Sequence, residues 1–207
     1  MLDAHLRHLA LLALPALLLV TACPRRVPIP DPTPATGEWY ETQADEGFSF
    51  SMPDPPEVQR QNVPTEAGPL PIVMYLLADD ARGAAYNVTS ARYPEGFMDT
   101  RDPAEVLAGA RDGAASNISG EILEQRDLQL FAPDGSIAPG LELVMRTPQE
   151  MLYRGRIFVV GPQLIQLSYV TTEKGGSEEA YRHFVESFIL TPSSPAAPSP
   201  DDGPTEE

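Results

Sequence analysis

Phe48-Ser49-Phe50-Ser51-Met52 alternates apolar and polar residues and stops at Pro53. Strict alternation puts every second side chain on one face of an extended chain, the pattern of a strand with one buried face. Further strands are expected at Val58–Val63, Leu70–Ala78 and Ala84–Tyr93, and one long or two short ones within Ile118–Phe131. The alternation returns at Leu141, Leu143 and Met145, and again in Met151–Val160 and Leu164–Thr171. Turn residues join these runs: "PTEAGP", "DDARG", "APDGS" and Gly161-Pro162. Joins this short fit antiparallel neighbours, because a parallel pair needs a crossover of about a dozen residues or more.

Two segments keep a helical period. Asp102-Pro103-Ala104-Glu105 offers an N-cap, a proline at the first helical position and a first-turn acid,. The stripe behind it is Val106, Leu107, Ala110 and Ala114. Ser177 caps a second helix, with Glu178 and Glu179 placed favourably against its dipole,. Tyr181, Phe184, Val185 and Phe188 then fall on one face,. The order strands, helix, strands, helix predicts an α+β fold: an antiparallel sheet of about six to eight strands with two main helices packed on it.

The flanks read differently. Residues 1–22 have the parts of a secretory signal: Arg7 near the start, the apolar run Leu9–Val20, and the small residues Thr21 and Ala22,. That run is too short to span a bilayer, which takes about 20 apolar residues. Residues 23–37 carry prolines at 24, 28, 30, 32 and 34, which exclude helix and predict an extended tether,. At about 3.1 Å per residue such a tether reaches about 40 Å. Residues 191–207, "TPSSPAAPSPDDGPTEE", contain no large apolar side chain and read as a disordered acidic tail,. Residues 38–190 are left as a single globular domain of roughly 150 residues, a length that buries a full core.

Cys23 is the only cysteine, so no internal disulfide can form,. Val20-Thr21-Ala22-Cys23 resembles the lipobox of bacterial lipoproteins. That resemblance implies a diacylglycerol on the Cys23 thiol and cleavage of the signal between Ala22 and Cys23. Stable anchoring takes two or more acyl chains, each gaining about 0.8 kcal/mol per buried CH₂. The resemblance also implies a cell-envelope address. Pro24 stands where the family's retention rule looks for aspartate, which points to the outer membrane, facing the periplasm or the cell surface. The net charge of −16 survives removal of residues 1–22, since Asp3 and Arg7 cancel. It argues against nucleic-acid binding and leaves membrane attachment to the acyl group.

"GFSFSMPDPPEVQRQ", "YRGRIFVVGPQLIQLSYV" and "AYRHFVESFIL" together resemble the PsbP-like fold. The likeness runs from Trp39 to Leu190 and implies a sheet flanked by helices in an α/β/α sandwich, with a non-catalytic accessory or binding role.

No catalytic constellation stands out, and no metal or cofactor is expected. His183 is the one histidine beyond residue 22 and has no partner for a zinc site,. The acid pairs Asp79-Asp80, Glu178-Glu179 and Asp201-Asp202 read as a turn, a helix start and a tail. Lys174-Gly175-Gly176-Ser177 could cradle an anion, but the glutamates that follow would repel one,. Trp39, Tyr40 and Tyr169 read as core or rim, with a binding surface as the alternative. Arg154 and Arg156, two apart on one strand face, are the candidate ligand contacts, able to grip a carboxylate,. The leading expectation is a membrane-anchored, non-enzymatic binding module with a protein partner at the envelope. The alternatives are a periplasmic hydrolase and a structural or assembly subunit of an envelope or secretion complex.

Overall fold

The computed structural model describes residues 39–65, 68–94, 96–172 and 175–191. The signal, Cys23, the tether and all of the tail except Thr191 lie outside the described residues.

Ten strands and two helices follow one another. β1 (Tyr40–Ala44), β2 (Phe48–Met52), β3 (Glu57–Thr65), β4 (Gly68–Asp79) and β5 (Ala84–Arg92) come first, then α1 (Pro103–Asn117). β6 (Glu121–Phe131), β7 (Ile137–Arg146), β8 (Met151–Val160) and β9 (Gln163–Thr172) lead to α2 (Glu178–Glu186) and β10 (Ile189–Leu190). The main sheet has seven strands in the order β3-β4-β5-β9-β8-β7-β6, and every neighbouring pair is antiparallel. A second, three-stranded sheet has the order β1-β2-β10.

The α+β class and the antiparallel main sheet are as the alternation predicts. The second sheet is a departure from that reading. Phe48–Met52 is the middle strand of the small sheet, with β1 on one edge and β10 on the other. Ser49 is buried along with Phe48 and Phe50, so the strand is covered on both faces rather than half exposed.

Alternation sorts the main sheet into two faces. On one, Leu107 of α1 meets Leu141, Leu143, Ile157 and Val159, and Ala114 meets Met145 and Tyr153. Asp102 starts this helix as expected, its carboxylate accepting from the Ala104 amide at 2.9 Å. On the other face, Phe184, Val185 and Phe188 join Phe48, Phe50, Tyr86, Phe158 and Ile165 in the largest apolar cluster. Ser177 caps α2, its Oγ accepting from the Ala180 amide at 3.1 Å. Gly140 of β7 lies opposite Phe158 of β8. A Cβ there would stand 2.4 Å from a Phe158 ring carbon, so glycine is what lets that ring lie across the strand. Phe158 in turn stacks on Phe188, at 3° between ring planes.

Candidate functional site

Arg154 and Arg156 do lie on one face of β8, the face that α2 covers. Their guanidinia meet carboxylates of the same chain. Arg154 donates twice to Glu178 in the first turn of α2, once through Nη2 to Oε1 at 3.1 Å. It also lies 3.8 Å above the Tyr181 ring, a cation–π contact,. Arg156 donates from Nε to Glu142 Oε1 at 3.0 Å and reaches the Val185 carbonyl at 3.4 Å.

Glu142 is the hub of this cluster. The sheet register sets it opposite both Arg156 on β8 and Arg126 on β6. Its carboxylate accepts from Arg156, from Arg126 and from the Tyr181 hydroxyl at 2.9 Å. Burial by itself would raise its pKa. The hydrogen bonds from Tyr181 and Arg156, the Arg156 charge and the Arg126 hydrogen bond together outweigh burial and hold it below the ordinary carboxylate value,. Burial, the Glu142 charge and the Glu142 hydrogen bond all push the Tyr181 phenol up. The Arg154 hydrogen bond chiefly lowers Glu178. The cluster therefore ties α2 to the sheet by charge as well as by rings. A ligand carboxylate at either arginine has to displace Glu178 or Glu142. Glu178 gives way more easily, since its side chain is 75% exposed against 16% for Glu142.

The remaining candidates disperse. His183 is exposed and stacks on Trp39 at 4.2 Å between centroids, while Trp39 sits edge-on to buried Tyr86. Tyr40 is exposed, whereas Tyr169 is core, its hydroxyl accepting from the Ser177 amide at 3.0 Å. Asp79 ends β4 and pairs with Arg82 at 2.7 Å across the turn. Lys174, Asp201 and Asp202 lie outside the described residues. Among the described residues, no group of three or more His, Cys, Asp or Glu side chains is placed to hold a metal ion. No described helix is long and apolar enough to cross a membrane.

α1 lies over β7 and β8. Beside it a groove of about 820 Å³ opens towards β6. Gln125, Asp127 and Gln129 of β6, Ile137 and Leu141 of β7 and Leu107 of α1 are among the residues that line it. That β6 is a strand was legible, but the offset of the helix from that strand depends on packing between distant segments.

No protein-family model and no curated protein matches this chain. Among solved structures, cyanobacterial PsbP (CyanoP) from Synechocystis is similar, with 14% identity and a TM-score of 0.48. That alignment covers 74% of this chain and 91% of the cyanobacterial one. A Pseudomonas aeruginosa protein of unknown function aligns with 12% identity and a TM-score of 0.33, over 66% of this chain and 85% of its own.

Proposed function

We propose that the protein is a lipoprotein of the bacterial cell envelope whose folded domain binds a protein partner and does no catalysis. Acyl chains on Cys23 hold it at the outer membrane, facing the periplasm. The observation that carries this reading is the position of Cys23. The sole cysteine follows an aliphatic and two small residues at the end of an apolar run, and proline-rich residues separate it from the folded domain. A net charge of −16 repels anionic headgroups, so attachment needs the acyl chains,.

The binding role, in preference to an enzymatic one, is supported by how the charged side chains are used. Arg154, Arg156 and Arg126 are matched by Glu178 and Glu142, and Asp79 by Arg82. His183 lies on an exposed face of α2, stacked on Trp39.

Growth with radiolabelled palmitate tests the anchor. The wild-type protein is expected to carry label and to sediment with membranes. The Cys23→Ala protein is expected to carry none. Unlabelled wild-type protein would remove the anchor from the account.

A further inference from the structure

The main sheet ends at β6, and among the described residues no strand lies beyond it. Alternate N–H and C=O groups of this strand therefore point away from β7. Sheets commonly blunt such an edge with proline, charged side chains (lysine above all), a bulge or a short strand. The opposite edge, β3, contains Pro64. β6 is 11 residues long and contains no proline, and its charged side chains are three acids, Glu121, Glu124 and Asp127, against one base, Arg126. Its bulge falls between Ile122 and Glu124, so Glu124–Phe131 pairs with β7 without interruption.

Side chains along this regular stretch, Leu128 and Leu130 excepted, are exposed, and its two faces differ chemically. Asp127 projects on the α1 face beside the groove, exposed, and no described cation pairs with it. Arg111, the cation nearest the groove, is engaged by Asp112 and Gln125. Phe131 is 69% exposed and Ile137, opposite it, 53%. On the other face Leu128 and Leu130 are only partly buried.

We propose that β6 is a docking edge for an extended segment of a partner protein that alternates basic and apolar side chains. The segment adds as an eighth strand, with main-chain hydrogen bonds supplying affinity and alternate side chains supplying specificity. Its basic side chains lie on the groove side, where Asp127 receives a charge and exposed Ile137 can cover an aliphatic stem,. Its apolar side chains extend the row of Leu128 and Leu130. A basic segment is also the one that the chain's negative charge attracts from a distance,. This inference rests on the binding role proposed above and specifies the partner's chemistry.

The test uses the full mature chain in detergent micelles and a capped seven-residue peptide alternating isoleucine and lysine. Titration calorimetry reads affinity, and amide hydrogen exchange reads the place. Micromolar binding with slowed exchange in β6 is expected. Asp127→Lys, an exposed substitution, is expected to weaken binding about tenfold or more. The same peptide N-methylated at alternate residues keeps its charge and apolar groups but loses its strand donors, and is expected not to bind. No binding by the parent peptide, equal binding by the methylated one, an unchanged Asp127→Lys affinity, or protection confined to β3 would each overturn the proposal. Palmitate labelling reads the other end of the chain. An unlabelled Cys23 with peptide binding intact removes the anchor alone, and a labelled Cys23 without binding removes the docking edge alone.

Discussion

Phe184→Ala is expected to cost about 4 kcal/mol of folding stability. Phe184 is fully buried where α2 crosses the sheet. Its ring stands edge-on to Tyr86 at 84°, with 5.4 Å between centroids. Phe48, Phe158 and Phe188 belong to the same cluster. Large rings held in single rotamers by one another collapse poorly into a void, which places the cost toward the upper part of the range for such truncations. A domain of this size has about 5–15 kcal/mol in all, so one ring accounts for a large share. Urea denaturation is the measurement: the midpoint should fall sharply while the slope stays constant. A loss below about 1 kcal/mol would mean that α2 does not seat on the sheet as described.

Glu142→Gln is expected to cost about 2 kcal/mol at pH 7 and progressively less in acid. The amide keeps the shape but gives up the charge that Arg156 and Arg126 share. Arg156 is itself largely shielded, its side chain 22% exposed, so water replaces the lost partner poorly. The sign of the pH dependence follows from the direction of the shift. Glu142 is held below the ordinary value of 4.5 in the folded protein. A carboxyl with a lowered folded pKa contributes stability above its unfolded value and loses it as pH falls through the folded one. The gap in urea midpoint between wild type and Glu142→Gln should therefore be largest at neutral pH and narrow below about 4.5. A gap that stays constant from pH 7 to pH 3 would contradict the assignment of Glu142 as an ionised hub.

Much of the fold was legible because period and cap chemistry are local. Met151–Val160 alternates through Tyr153–Ile157, closes on an apolar run buried on both faces, and is the strand found. Asp102-Pro103 and Ser177 cap the helices that they announce. β1 was not legible. In "YETQA" only Ala44 is buried, so the strand shows no period and is defined by its pairing with β2. The division into two sheets was hidden for a related reason. Alternation marks Phe48–Met52 as a strand but does not say which neighbours it pairs with, and β10 arrives from the far end of the domain.

The candidate site was half legible. That Arg154 and Arg156 share a face follows from a period of two. That Glu142 and Glu178 meet them depends on the β7–β8 register and on where α2 lands, so the sequence shows the cations without their partners. The edge position of β6 is a property of strand order, which a strand's own residues do not encode.

The intact mass of the mature protein extracted from membranes reads the state of Cys23 directly. The account predicts a chain that begins at Cys23 and carries the added mass of a diacylglyceryl group, with or without a third acyl chain on its amine. A product that retains residues 1–22, or one that begins elsewhere with an unmodified thiol, would contradict it.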